Sequence, residues 1–227
     1  MPPRSLFFPP PSTASPEGLI AIGGDLSPER LLDAYRHGIF PWPVYEDDPM
    51  LWWSPDPRAI LPLDGLQISK RLRRTLRSGV FRSTCDQAFG EVIDGCASAQ
   101  NRLHNTWLTE EMLAAYLRMH ELGHAHSVEV WHDGALAGGT YGLALGGLFA
   151  AESMFYRIRD ASKIALAYLV THLRTRGFKL VDVQQWTPHT GRLGVIDIPR
   201  DEYLRRSAEA LQLDVSFGNQ LEGRPID

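Results

Sequence analysis

Cysteine is nearly missing from this chain: Cys85 and Cys96 are the only two among 227 residues. They make neither a disulfide framework nor a four-ligand zinc set, and their scarcity fits a reducing compartment. Long apolar runs are missing as well. The longest weakly polar stretch, Gly142 to Ala151, falls far short of the roughly 18 residues a membrane span needs, and the opening MPPRSLFFPPP has no apolar core of the signal-peptide kind. A soluble, cytoplasmic protein is expected. Positive charge is not in excess either: the formal net charge is −4, so any nucleic-acid binding has to rest on a local patch. The patterns G-x-S-x-G, the Walker loop and G-x-G-x-x-G do not occur.

What is present is an ordinary globular composition, long enough for one large domain or a small domain leaning on a larger one. The first third is punctuated by proline and aromatics. Ser27 with Pro28 reads as an N-cap and a first-turn proline, and Leu31, Leu32 and Tyr35 carry a short helix to a stop at Gly38. Trp42, Trp52 and Trp53 then share one loop-rich segment, either as filler between two domains or as flat stacking surfaces.

From Gln67 to Arg77 the spacing predicts a helix, with Ile68, Leu72 and Leu76 recurring every four residues. Lys70, Arg71, Arg73, Arg74 and Arg77 cover its other sides, and no acid lies between Asp64 and Asp86. Five cations without a carboxylate on an acidic protein suggest a polyanionic partner. Leu108 to Leu122 reads as a second long helix with Thr109 as N-cap. Three antiparallel strands are expected from His126 to Met154, joined at Asp133-Gly134 and Gly146-Gly147. A further helix starts at Asp160 or Ser162 and lines up Leu166, Leu169 and Leu173 before Gly177. Strand, strand, strand, helix, strand gives a mixed sheet, because the crossover returns the last strand parallel to its neighbour. A final helix begins near Asp201.

The stretch FKLVDVQQWTPHTGRLG, Phe178 to Gly194, organises the chain. Phe178, Leu180, Val181 and Val183 make a buried strand, so Asp182 and Gln184 share one of its faces. A carboxylate there needs a partner, and the carboxamide two residues on is the nearest in sequence. His120-Glu121-Leu122-Gly123-His124 matches H-E-x-x-H, yet strand-like alternation begins right after His124, and Ser127 and Val130 stand where the extended zinc-peptidase pattern wants glycine and histidine. Histidines near the negative end of a helix explain the same letters without a metal, and a zinc peptidase stands as the enzyme alternative. The element order also matches acetyltransferases of the GNAT type, but the helix start Tyr156-Arg157-Ile158-Arg159-Asp160 lacks the glycine-rich pyrophosphate cradle of an acyl-coenzyme A enzyme.

In order along the chain, GLIAIGGDLSPERLLDAYRHGIFPW, LWWSPDPRAIL, AFGEVIDGCAS, HELGHAHSVEVW, GTYGLALGGLFAAESMF, DASKIAL, LVDVQQ and HTGRLG resemble the successive blocks of the leucyl/phenylalanyl-tRNA protein transferases. The resemblance runs from Gly18 to about Leu204. It implies an α+β protein: a small N-terminal domain, residues 1–62, followed by a GNAT-like mixed-sheet catalytic domain, residues 63–227, working as a monomer without coenzyme A, metal or other cofactor. The implied activity moves leucine or phenylalanine, and methionine more weakly, from aminoacyl-tRNA to proteins beginning with lysine or arginine, which marks them for degradation. By the same resemblance Asp182 and Gln184 take the catalytic positions and Trp42 and Trp107 hold the terminal adenosine. Phe149, Glu152 and Met154 surround the aminoacyl group, with Leu166, Leu169 and Leu173 completing an apolar pocket. Val183 stands where the family has cysteine, Thr187 where it has asparagine, and Thr140 where a larger apolar residue is common. An activated ester and a partly neutral amine need only positioning and a proton route. Asp182 is expected to orient the Gln184 amide, whose oxygen accepts from the attacking amine. The non-enzymatic alternative is a module that holds charged tRNA without turnover.

Overall fold

The computed structural model describes residues 4–43, 49–98 and 108–225. Short strands open the chain: β1 (Leu19–Ile22), β2 (Phe40–Pro41) and β3 (Leu51–Trp53) form a three-stranded antiparallel sheet in the order β1-β3-β2. Between β1 and β2 runs α1 (Pro28–Arg36), where the Ser27 hydroxyl accepts from the Arg30 N–H and Pro28 fills the first turn. The tryptophans divide as filler and surface. Trp52 is fully buried and donates its indole N–H to the Gly23 carbonyl, and Trp53 donates to the Trp42 carbonyl. Trp42 alone of the three faces the large cleft described below.

Between Trp53 and Arg58 the chain changes sheets. β4 (Arg58–Ile60) belongs to a seven-stranded sheet with β5 (Arg82–Cys85), β6 (Ala125–His132), β7 (Ala135–Leu145), β8 (Leu148–Tyr156), β9 (Leu180–Gln184) and β10 (Ile196–Ile198), in the order β10-β4-β9-β8-β7-β6-β5. β6, β7 and β8 are the expected antiparallel strands, with their turns where expected. The glycines of β7 permit close approach: a Cβ on Gly142 would lie 2.1 Å from the Ala150 carbonyl oxygen, and the register slips between Tyr141 and Gly142.

α2 (Lys70–Arg77) starts three residues later than the apolar spacing predicts, because Ser69 takes the cap and accepts from the Leu72 N–H. Ile68 still packs with Leu72 and Leu76 into the core, and all five cations are exposed. α3 (Phe89–Ala97) and α4 (Glu110–Glu121) cover one face of the sheet together with α1. On the other face lies α5 (Ala161–Thr175), with Leu166, Leu169 and Leu173 packed against the strands. α6 (Pro188–Gly191) is a single turn, and α7 (Arg200–Ala210) closes the helices. Beyond α7 the chain returns across α5. The buried His172 ring accepts the Glu222 N–H at Nδ1 and so donates from Nε2 to the Phe217 carbonyl, at 3.0 and 2.7 Å.

α5 is the crossover that makes β8 and β9 parallel. They pair only at Leu148–Leu180, Phe149–Val181 and Ala150–Asp182. Past those pairs the strands part, and the gap between them is the site.

Candidate active site

The parting strands frame a cleft of about 890 Å³. Ala151 to Arg157 form one wall, Val181 and Val183 to Gln185 the other. Phe40 to Trp42 reach over it from the small sheet, and Ser162 and Leu166 of α5 lie behind.

Asp182 is not open to this space. Its carboxylate is fully buried and accepts from Arg58 Nε at 2.8 Å, Arg58 Nη2 at 2.6 Å, the Tyr203 hydroxyl at 2.9 Å and the Gln184 backbone N–H at 2.9 Å. The partner expected from sequence, the Gln184 carboxamide, is replaced by an arginine 124 positions away, since only a full charge in bidentate geometry offsets so deep a burial. Arg58 is itself clasped between the Phe40 and Tyr203 rings, 4.6 and 4.5 Å from their centroids, and donates to the Gly38 carbonyl. Burial works against its charge, but Asp182 outweighs burial and raises the guanidinium pKa. What Asp182 orients is the backbone of Gln184, which ends β9 in a left-handed conformation at φ 62°.

The Gln184 side chain turns to Glu152 instead, its Nε2 donating to Oε1 at 3.0 Å. A carboxylate accepts only, which fixes the amide with its oxygen free for another donor. Two tyrosines hold the same carboxyl: Tyr35 reaches Oε1 at 2.8 Å and Tyr116 reaches Oε2 at 2.9 Å, while their hydroxyls lie 2.8 Å apart. Burial pushes the Glu152 pKa up to about 7; Tyr35 and Tyr116 pull it down, the Asp182 charge pushes it further up, and Arg58 opposes.

Of the residues singled out in the sequence, Trp42, Thr140, Glu152, Met154, Leu166 and Gln184 share the cleft lining. Phe149, Leu169 and Leu173 are fully buried in the core behind it. Trp107 lies outside the described residues. The Thr140 hydroxyl donates to the Ser153 carbonyl at 2.9 Å and adds no free group to the wall. Thr187 caps α6, exchanging hydrogen bonds with Thr190, a task for which asparagine is equally suited.

Lys70, Arg71, Arg73, Arg74 and Arg77 stand together on α2, and Arg71 pairs at 2.5 Å with Asp160 at the start of α5. The H-E-x-x-H letters do not share a helix: α4 ends at Glu121, Gly123 turns at φ 78°, and His120 stacks on Phe89 with its Nδ1 against the Ala125 carbonyl. Sequence reasoning missed Arg58, Tyr35, Tyr116 and Tyr203. Tyr35 and Tyr116 stand on the buried faces of α1 and α4, which was the available signal; Arg58 and Tyr203 carried none.

A mixed sheet opening at a splayed parallel pair, with a crossover helix behind the gap, is the GNAT-like α+β architecture, here with Glu152, Gln184 and two tyrosines gathered at the opening. Sequence comparison narrows the class: the chain belongs to the leucyl/phenylalanyl-tRNA protein transferases, a family of enzymes. The family profile, Leucyl/phenylalanyl-tRNA protein transferase, matches residues 60–208, and the profile of its N-terminal domain matches residues 24–56. A leucyl/phenylalanyl-tRNA--protein transferase of Nitratidesulfovibrio vulgaris (strain DP4) is 52% identical over 90% of this chain and 87% of its own. One from Stutzerimonas stutzeri (strain A1501) is 53% identical over 92% and 91%. Among solved structures, a GCN5-related N-acetyltransferase from Kribbella flavida aligns with TM-score 0.40 at 12% identity, over 76% of this chain and 61% of that one.

Proposed function

We propose that the cleft joins leucine or phenylalanine, and methionine more weakly, from charged tRNA to the N-terminal amine of proteins beginning with lysine or arginine, creating an N-terminal degradation signal. The observation that carries this reading is the Glu152 carboxyl at the cleft wall, held by Tyr35 and Tyr116 and tied to Gln184. In the reaction the acceptor nitrogen bonds to the ester carbonyl carbon, the bond from that carbon to the terminal ribose oxygen breaks, and one amine proton ends on the departing hydroxyl. Gln184 offers its amide oxygen to the incoming amine. Glu152, with a pKa near neutrality, accepts the proton and returns it to the leaving oxygen. Asp182 serves from below by fixing the backbone that presents Gln184.

Trp42 and Trp107 are assigned to the terminal adenosine. Met154, Leu166 and Thr140 are assigned to the side chain being transferred, while Phe149, Leu169 and Leu173 set the depth of that pocket from behind. Leucine fits such an aliphatic wall. One methylene discriminates by only about 1 to 3 kcal/mol there, so phenylalanine and methionine remain weaker donors and β-branched isoleucine and valine are refused on shape. The exposed cations of α2 are assigned to the tRNA phosphates.

The deciding experiment is transfer from matched leucyl-, phenylalanyl-, methionyl- and isoleucyl-tRNAs to a peptide beginning with arginine. Leucine transfer well above isoleucine is expected. Equal rates for the two would place the donor pocket elsewhere, and tRNA binding without any product would leave a holding module.

A further inference from the structure

The cleft's apolar floor continues past Gln184 to the edge of the sheet, where it meets an exposed carboxylate. Leu61, Val183 and Val195 line that floor. In β4, Ala59 pairs with Gln184 on one side and with Asp197 of β10 on the other. Asp197 therefore lies level with Gln184 and two strand spacings away, about 10 Å. Side chains alternate along β10, so Asp197 shares the face of Val195, the cleft face. β10 is the outermost strand, and Asp197 is exposed. Among the described residues its carboxylate makes no hydrogen bond or ion pair. Arg200, three positions on, is turned away and donates to the Ser54 carbonyl.

We propose that Asp197 is the specificity carboxylate that receives the cationic side chain of the acceptor's first residue. The inference rests on the acceptor class proposed above and adds the group that reads it. An extended arginine or lysine side chain spans roughly 6 to 7 Å from Cα, which carries its head from an amine held at Gln184 to the strand edge. Its aliphatic stem lies along Leu61 and Val195, and its charge stays at the wet rim, the way such side chains bury their stems.

The test compares the full-length protein with Asp197→Asn and Asp197→Lys, using leucyl-tRNA and peptides that begin with arginine, with citrulline (its uncharged counterpart in shape) or with glutamate. Asp197→Asn should lower kcat/KM for the arginine peptide by about 5- to 20-fold, through KM, as expected for a charge-assisted contact at a wet rim. Use of the citrulline peptide should not change. Asp197→Lys should depress arginine further and raise the glutamate peptide relative to wild type. An arginine-to-citrulline ratio that survives both substitutions overturns the assignment alone. A wild-type enzyme that transfers but ignores the first residue overturns the assignment and the acceptor reading together.

Discussion

Glu152 sits where burial and hydrogen bonding pull one carboxyl in opposite directions, and burial wins. If it moves the amine proton, single-turnover transfer should rise with pH through about 7, and Glu152→Gln should remove that limb and leave only the titration of the acceptor amine, near 7.7 to 8.0. A Gln variant with the wild-type pH profile would return Glu152 to a passive role. Arg58 invites a different measurement. Arg58→Met leaves the Asp182 carboxylate buried and uncompensated, a loss of about 3 to 5 kcal/mol, and adding Asp182→Asn should recover part of it in urea unfolding. Equal losses in the single and double variants would mean that the pair is not the unit of stability. Alternation along one strand put Asp182 and Gln184 on a common face, but Asp182 turns to Arg58 and Tyr203 while Gln184, at φ 62°, turns to Glu152. Arg58 could not be read from sequence, because a partner 124 positions away is chosen by the sheet order and not by any local period.

Capping signals made several elements legible. Ser27 and Thr109 each accept the N–H that their place in the sequence announces, and the β6 to β8 meander followed from alternation and glycine turns. β4, β5 and β10 were not legible. Strands of three or four residues carry no period of their own and are held by neighbours on the large sheet. At this scale α2 carries the prediction. Replacing Arg73, Arg74 and Arg77 by alanine should weaken all charged tRNAs alike and flatten the slope of log affinity against log salt by about 0.7 to 0.9 for each phosphate no longer neutralised. Arg71→Ala should do less, since Asp160 already neutralises that residue. An unchanged slope in the triple variant would move the phosphate path off this helix.

Across the whole molecule, two buried groups set opposing pH limbs of stability. The folded Glu152 pKa is raised, so its contribution is complete below about 4.5 and is lost as pH rises through about 7. The folded His172 pKa is lowered, chiefly by burial, so its contribution is present above 6.5 and is lost as pH falls. Protonation would also take the acceptor from the Glu222 N–H and loosen the returning C-terminal segment. The two slopes oppose each other below pH 6.5, so melting temperature should change little there and fall as pH rises through about 7. Glu152→Gln should remove that fall and His172→Gln should extend it to lower pH, as thermal unfolding between pH 5 and 8 would show, and a profile unmoved by both substitutions would point to other groups.

One guanidinium also fixes how far the two sheets can be recombined. Arg58 touches Gly38 and Phe40 from the small sheet's side and Asp182 and Tyr203 from the large one. A chimera that exchanges residues 1–56 with a relative keeps the Arg58–Asp182 pair but inherits a foreign aromatic ring and a foreign carbonyl on the other side of it. Compatibility at such a seam is set by those two contacts, more than by the overall identity of the parents.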